Sequence, residues 1–325
     1  MHFTAAEQRI FARRERISVS HWAALHLIVP DGPYAGARYR RDVNPYLAGI
    51  MDTWGLPEME EVLVCGSAQT GKTVALYACL CYCVDYRPAP RMLAMPDDET
   101  LGKVVEAKLK PMFRKTRPVA AVLRKFRGGR VDMTDGTRVF LSSAASQSQR
   151  ASVSVQDLFL DEEALYKSYA GQGAPVADFL ERTRSYSWKR KIMRVSKPIG
   201  GDDCTIWADI QRMDELREYA AICPACGTAQ ILRKENIITE HHVKDPVRVE
   251  RERLGRYRCP HCRMHWTDYM RDQAVARGAW MSEKPSATPR RVAFHLPAIL
   301  SSAVSLSEIA AAQLRLAKDD DEKRH

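Results

Sequence analysis

The chain contains 325 residues, and its 50 Lys and Arg residues outnumber its 40 Asp and Glu residues to give a formal net charge of +10. This length is enough for one large domain or two of ordinary size, and the basic excess favours a polyanionic partner, nucleic acid first, over a solvated basic surface. The longest wholly apolar run, residues 74–84, is too short to cross a bilayer core of about 30 Å, so we expect a cytoplasmic protein with no membrane partner.

Residues 1–45 are predicted to form an N-terminal arm ahead of the core. Residues 1–25 have the pattern of an amphipathic, Arg-rich helix, and they lack the apolar stretch of a signal peptide. Residues 30–41 (PDGPYAGARYRR) are basic and rich in turn-forming residues. This composition is typical of a leading segment and not of a buried core.

A glycine-rich motif follows an apolar segment at residues 61–65 and precedes an apolar helical segment at residues 74–84. Its GxxxxGK[ST] pattern is typical of the loop that binds phosphates in P-loop NTPases, because its backbone N–H groups can converge on the phosphates. Lys72 would reach the β and γ oxygens, and the Thr73 hydroxyl would bind Mg²⁺. We therefore predict an ATP-binding loop made of Gly66, Ser67, Ala68, Gln69, Thr70, Gly71, Lys72 and Thr73.

Strand-like and helix-like segments alternate from residue 60 onward. Residues 101–113 repeat apolar side chains at helical spacing, and the other faces of this segment and its continuation to residue 115 carry the basic residues Lys103, Lys108, Lys110, Arg114 and Lys115. Alternation of this kind predicts an α/β fold, a P-loop NTPase parallel sheet flanked by helices. The predicted strands are residues 62–65, 92–95, 137–142, 155–160 and 191–196.

Three acidic residues follow the fourth predicted strand. The apolar strand would be buried, and its carboxyl end would deliver the acids to the nucleotide, as in a Walker B element. Asp161 is the predicted Mg²⁺ ligand and Glu162 the residue that polarises the attacking water, with Glu163 as the weaker alternative. The competing interpretation is an acidic helix N-cap after a strand.

The fifth predicted strand ends at Ser196, which would lie beside the γ-phosphate and could sense it, although a strand-end turn before Pro198 is an equally good explanation. Basic residues with interspersed aromatics precede this strand. Within them, Arg182 and Arg184 are candidates for an arginine finger or for contacts with a DNA backbone. A solvated basic face is the alternative. A second basic stretch lies at residues 114–130.

Two CxxC pairs occur in the C-terminal half of the chain. Each pair can place two thiolates on one tetrahedral ion, so together they predict a closed, structural Zn²⁺ site in a small zinc-ribbon-like β module. Redox and disulfide roles are less favoured in the cytosol, and His261 and His265 are alternative ligands. The predicted zinc ligands are Cys223, Cys226, Cys259 and Cys262.

These residues together resemble the large subunit of phage DNA-packaging terminases, in the lambda-like branch. The similarity runs in order along nearly the whole chain, through residues 18–23 (SVSHWA), 44–47 (NPYL), the P-loop with Gln69, 158–162 (LFLDE), 196–198 (SKP) and the CPxC pairs. The resemblance implies a bacteriophage ATPase that threads double-stranded DNA into a procapsid in the host cytoplasm. It also implies a homo-oligomeric ring at the portal and a small terminase subunit as partner.

Two features depart from the family pattern. Many members carry an Arg in the P-loop just before the Gln, whereas this chain has Ala68, so a compensating Arg such as Arg182 or Arg184 would come from elsewhere or from a neighbouring subunit. The resemblance also implies a nuclease domain after the ATPase, and the sequence stops at His325 near its expected start. We therefore expect no DNA cleavage by this chain alone.

The domain organisation expected from these observations has four parts. They are an N-terminal arm at 1–45, the ATPase domain at 46–215, a zinc-binding module at 216–282 and a segment at 283–325 leading towards the missing nuclease. Two other functions are compatible with the sequence. One is a non-translocating DNA-binding ATPase, either a regulator or a prophage remnant, and the other is a related P-loop helicase.

Overall fold

The computed structural model describes residues 17–151, 153–167, 174–199 and 204–322. Most of the helix expected at residues 1–25 lies outside this part of the chain. The strands, in chain order, are β1 Glu61–Gly66, β2 Arg91–Met95, β3 Leu123–Arg127, β4 Arg130–Met133, β5 Arg138–Ser143, β6 Asp157–Asp161, β7 Lys191–Ser196, β8 Glu215–Ile222, β9 Ala229–Ile231, β10 Ile237–Thr239, β11 Gly255–Arg258, β12 His265–Trp266, β13 Ala279–Met281 and β14 Arg291–Leu296.

The helices cover both faces of the sheet and the ends of several strands. A π-helical turn, Val105–Leu109, joins α4 to α5, so the helical pattern predicted at residues 101–113 is present. The α-helices are α1 Val19–His26, α2 Tyr46–Gly55, α3 Lys72–Tyr86, α4 Asp98–Val104, α5 Lys110–Lys115, α6 Arg117–Ala120, α7 Gln147–Ala151, α8 Pro175–Glu181, α9 Thr205–Ile210, α10 Pro246–Arg251, α11 Asp268–Ala276 and α12 Leu306–Glu322.

The central sheet has the order β13-β8-β14-β1-β7-β6-β2-β5-β4-β3, and β9 also pairs with β8. The seven strands from β8 to β5 in this order run parallel, and the outer strands pair antiparallel. The prediction of a mixed α/β fold with a largely parallel sheet is therefore confirmed. Each of the five predicted strands is present, with ends shifted by at most two residues.

Apolar side chains on both faces of the parallel strands form the core, as expected for strands covered by helices on two sides. Helices α1, α2 and α3 pack on one face, where Val62, Val64 and Met193 point. On the other face, α8 and α9 cover two smaller clusters. Burial of β1 on both faces fixes the position of the loop that follows it.

The sheet continues beyond residue 215, where the sequence placed the end of the ATPase domain. Strands β8, β13 and β14 come from the predicted zinc module and C-terminal segment, yet all three pair into the central sheet. Strand β14 pairs directly with β1, and its buried Val292 and Phe294 extend the same apolar core. A separate three-stranded sheet, β10-β11-β12, carries the second CxxC pair at its end. Within the described residues, no helix combines the length and apolarity needed to cross a membrane.

Candidate functional site

The glycine-rich loop joins the carboxyl end of β1 to the N-terminus of α3. It closes on itself because the Thr70 hydroxyl donates to the Ser67 carbonyl at 2.8 Å. Gly71 has φ 78°, and a Cβ there would meet Leu47 Cδ1 at 3.0 Å and Asn44 Nδ2 at 3.1 Å, so glycine is required on two counts. Helix α3 begins at Lys72, directly after the loop, and a helix N-terminus that follows a glycine-rich loop is the arrangement that binds phosphate.

Two side chains at the start of α3 face two acids at the end of β6. Lys72 Nζ lies 3.3 Å from Glu162 Oε1, and the Thr73 hydroxyl donates to Asp161 Oδ1 at 3.4 Å. Strand β7 separates β1 from β6 in the sheet, so these contacts cross from one loop to the other above the end of β7. The sequence-predicted phosphate, Mg²⁺ and water-polarising residues therefore meet at one edge of the sheet.

Asp161 is almost fully buried, with 4% of its surface exposed. Burial and the adjacent carboxylate of Glu162 raise the pKa of Asp161 to about 7. A hydroxyl beside a carboxylate is a suitable oxygen donor pair for Mg²⁺, and the charge of a bound cation would favour the ionised carboxylate. Thr73 and Asp161 thus have the chemistry of the predicted magnesium site.

Glu162 has an uncommon backbone conformation, with φ 52° and ψ 43°. A left-handed non-glycine residue is strained and persists where its surroundings determine it. Here the Ala164 N–H donates to Ser196 Oγ at 3.1 Å, and the Lys197 N–H approaches Glu162 Oε2 at 3.5 Å. Ser196 is fully buried and contacts the backbone of the acidic loop, so in this structure it links the end of β7 to that loop.

Glu163, the alternative water-polarising residue, points away from the loop into the sheet. Arg194 holds both of its oxygens, with Nε at 2.7 Å and Nη2 at 2.9 Å. The same guanidinium binds Glu61 Oε1 at 2.9 Å and also contacts Asp209. Both acceptor atoms of Glu163 are therefore engaged in a buried ion network, and the open position beside Lys72 belongs to Glu162. The sequence favoured Glu162 over Glu163, but it carried no signal for the contacts between Glu163 and Arg194.

Arg182 and Arg184 are not brought to the P-loop of their own chain. The Arg182 carbonyl accepts from the Val155 N–H just before β6 begins, so Arg182 lies at the amino edge of the parallel strands. That edge is about 15 Å from the loop, because β6 has 5 residues and each strand residue rises about 3.3 Å. Arg184 is exposed and pairs with Glu181 at 2.9 Å. Arg182 therefore lies at the opposite edge of the sheet from the nucleotide loops of its own subunit.

The segment after β14, residues 297–304, packs against the P-loop and is called here the buttress segment. The Ser67 N–H donates to the Leu296 carbonyl at 3.0 Å, and the Ser67 hydroxyl accepts from the Ala298 N–H at 3.1 Å. The Ser301 hydroxyl donates to the Gln69 carbonyl at 2.8 Å. These contacts link residues more than 200 positions apart in the chain, so no local sequence motif predicts them.

The four cysteines of the CxxC pairs form one cluster, in which all Sγ atoms lie within 4.8 Å of one another. The Cys223 and Cys262 sulfurs are 3.8 Å apart, close to the separation of about 3.8 Å set by tetrahedral Zn–S bonds of about 2.3 Å. The hydroxyl and backbone N–H of Thr228 lower the pKa of Cys226 to about 6. Among the described residues the cluster contains no histidine, so His261 and His265 are not part of it.

A family model and one sequence relative match this chain. The family model described as phage terminase large subunit gpA, ATPase domain, matches residues 35–280. The terminase large subunit of Escherichia phage lambda is 23% identical over 241 residues, which cover 71% of this chain and 37% of the lambda protein.

Two solved structures are also similar at low sequence identity. The HK97 bacteriophage large terminase is 13% identical with a TM-score of 0.47, over 60% of this chain and 40% of that one. The Thermus Phage P74-26 large terminase ATPase domain is 13% identical with a TM-score of 0.36, over 53% and 72% of the two chains. The chain thus spans less than half the length of the lambda and HK97 proteins.

Proposed function

Because the chain belongs to the family of phage terminase large subunit gpA ATPase domains, we propose that it hydrolyses ATP to translocate double-stranded DNA into a procapsid. The observation that carries this proposal is the meeting of the P-loop with the acidic loop, where Lys72 and Thr73 face Glu162 and Asp161 at 3.3 and 3.4 Å. A phosphate-binding loop opposite two carboxylates is what phosphoryl transfer to water requires.

Each residue of the site has a distinct proposed role. Lys72 and the backbone of residues 66–73 hold the β and γ phosphates, while Thr73 and Asp161 hold Mg²⁺, which would neutralise charge on the phosphates. Glu162, partly exposed beside Lys72, polarises the attacking water. Ser196 positions the Glu162 loop by accepting from the Ala164 N–H.

The proposed partners follow from the family and not from the contacts of this chain. They are double-stranded DNA, a small terminase subunit, the portal of a procapsid and further copies of the chain in a ring, all in the host cytoplasm. In such a ring, the exposed Arg184 of one subunit would complement the Ala68 loop of the next.

The decisive experiment measures ATP hydrolysis by the purified chain with and without duplex DNA. Stimulation by duplex of any sequence supports the motor, whereas DNA binding without any change in turnover supports the non-translocating regulator. Strand separation in the same assay would favour the helicase. The Lys72→Ala protein is assayed under each condition as a control, because any hydrolysis that remains in it comes from contaminating ATPases.

A basic hairpin is the proposed DNA-backbone surface. Strands β3 and β4 form an edge of the central sheet, and Arg124 and Lys125 on it are exposed. Close by, Arg127, Arg130 and Arg138 all approach the single carboxylate of Asp132, at 2.7, 3.1 and 3.6 Å. Three guanidinium groups around one carboxylate leave positive charge uncompensated, which suits contacts with phosphates.

Reversing Arg124, Lys125 and Arg127 to glutamate is expected to weaken duplex binding by about tenfold or more, equally for all sequences. The loss of phosphate contacts should also flatten the salt dependence, by a log-log slope of about 0.9 per contact. Fluorescence anisotropy over a series of salt concentrations measures both, and hydrolysis without DNA should persist.

The matched control reverses three exposed basic residues elsewhere, Lys244, Arg277 and Lys284, which changes the net charge by the same amount. Binding that falls equally in both triple variants would assign the effect to overall charge and not to the hairpin. A footprint confined to one sequence would contradict phosphate recognition altogether.

Zinc is the proposed occupant of the cysteine cluster, in a small zinc-ribbon-like module built on β10, β11 and β12. The purified protein should contain about one Zn²⁺ per chain, because four thiolates complete one tetrahedral shell. Cys223→Ser should abolish this content, as measured by mass spectrometry of the metal. The double variant His261→Ala, His265→Ala should retain it, and zinc that survives Cys223→Ser or is lost with the histidines would overturn the ligand assignment.

A further inference from the structure

Arg271 is a fully buried arginine on α11, away from every residue assigned a chemical role above. Its Nη1 donates to the Ile299 carbonyl at 3.0 Å and its Nη2 donates to the Val304 carbonyl at 3.1 Å. Its Nε donates to Asp272 at 2.6 Å, which compensates the buried charge. One guanidinium therefore bridges both ends of the buttress segment, residues 297–304.

The buttress segment contacts the P-loop at two points. The Ala298 N–H donates to the Ser67 hydroxyl, and the Ser301 hydroxyl donates to the Gln69 carbonyl. Gln69 has φ 60°, a left-handed conformation that a residue with a Cβ adopts only when its surroundings impose it. The hydrogen bond from Ser301 fixes the orientation of this peptide, on which the aim of the neighbouring N–H groups depends.

The other side of Arg271 belongs to the cysteine-containing part of the chain. Helix α11 follows β12 directly, and Thr267 caps its N-terminus by accepting from the Met270 N–H. The buried Trp266 on β12 packs on Tyr257 of β11 with ring centroids 4.8 Å apart. Asp268 accepts from the Leu306 N–H at 2.7 Å, so the start of α11 also holds the chain just after the buttress segment.

From these contacts we infer that Arg271 is a positioning residue for the nucleotide site. It holds the buttress segment, which in turn holds the P-loop backbone at Ser67 and Gln69, and the folded cysteine cluster thereby supports nucleotide affinity from a distance. This inference rests on the proposed nucleotide site. Its physical basis is preorganisation, since a loop held in its binding conformation loses less entropy when phosphate binds.

The test compares two buried serines of the same region, Ser301→Ala and Ser307→Ala. Both hydroxyls are almost completely buried and each contacts a backbone group, but the Ser307 hydroxyl accepts from the Gly255 N–H and does not contact the P-loop. Equilibrium binding of a fluorescent ATP analogue, with KM and kcat for ATP, gives the readout. Ser301→Ala should weaken analogue binding and raise KM by about fivefold, the effect of one hydrogen bond, with kcat little changed.

Variants of Arg271 extend the comparison. Arg271→Gln cannot reach both carbonyls and should weaken analogue binding more than Ser301→Ala, whereas Arg271→Lys, which keeps the charge and can donate to a carbonyl, should restore part of the affinity. Zinc content is measured on each variant. A folded, zinc-containing Arg271→Gln protein with the affinity of the unmodified chain would overturn the inference.

The paired serines keep the test decisive if Arg271→Gln does not fold. Equal analogue affinities for Ser301→Ala and Ser307→Ala, in a chain that binds ATP normally, would also overturn the inference while leaving the proposed function intact. Failure of the proposed function looks different, because the unmodified chain would then bind the analogue no better than Lys72→Ala does.

Discussion

Lys72→Ala is expected to abolish ATP hydrolysis, with kcat lower by at least about 10²-fold. The ammonium group is the positive charge at the mouth of the P-loop, 3.3 Å from Glu162. Removing a preorganised charge that stabilises the transition state of phosphoryl transfer costs rates of this order. Steady-state phosphate release by purified protein measures the effect.

The fold should survive this change, because the ion pair that is lost joins Lys72 to the partly exposed side chain of Glu162. Lys103→Ala provides a matched control, since Lys103 is 73% exposed on α4 and pairs with the similarly exposed Glu99. It should hydrolyse ATP at the normal rate. Undiminished hydrolysis by a folded Lys72→Ala protein would remove the basis of the P-loop assignment.

Glu162→Gln is expected to bind ATP and Mg²⁺ normally but to turn over about 10²-fold to 10⁴-fold more slowly, the usual effect of losing a general base. The amide has the shape of the carboxylate and no longer attracts a proton from water. The variant should therefore trap bound nucleotide, which filter binding with labelled ATP detects alongside the loss of phosphate release.

Glu163→Gln is the paired control, and its expected phenotype is one of stability. It removes a charge from the buried network around Arg194, which still retains Glu61 and Asp209. We expect the free energy of unfolding, measured in urea, to fall by about 2 kcal/mol, which is the contribution of a hydrogen bond to a charged group. The folded protein should keep its kcat. If Glu162→Gln instead hydrolyses normally and Glu163→Gln is inactive, the roles are assigned to the wrong one of the two neighbours.

The two acids show how far a motif alone can take the assignment. The run Asp161, Glu162, Glu163 after an apolar strand predicts that acids reach the nucleotide, but consecutive residues leave a strand in directions that depend on the backbone after it. In the structure Glu162 turns to φ 52°, which sends Glu163 into the sheet towards Arg194. Arg194 lies 31 positions further along the chain, so only the folded pairing of β6 with β7 could decide this.

Arg182 illustrates a second kind of limit. Its basic neighbourhood and its place before β7 made it a candidate for the nucleotide site, yet the chain enters β7 from the amino edge and the nucleotide loops lie at the carboxyl edge. Edge and distance follow from the direction of each strand in the sheet. A list of charged residues contains no such information.

By itself the sequence determined the features whose physics is local. A GxxxxGK[ST] loop needs only its own glycines and the helix it begins, buried strands show as short apolar runs, and the CxxC pairs contain their own chelating geometry. For that reason the sequence was enough to identify the P-loop motif at residues 66–73, the five predicted strands and the four cysteines.

Only the tertiary structure decided the features made by contacts between distant residues. It placed β14 beside β1 although 224 residues lie between the two strands, and it brought Ser301 to Gln69 and Arg271 to the buttress segment. Such contacts arise because the apolar core and the hydrogen-bonding needs of buried groups are satisfied by the whole chain at once. No periodicity or spacing along the chain records them.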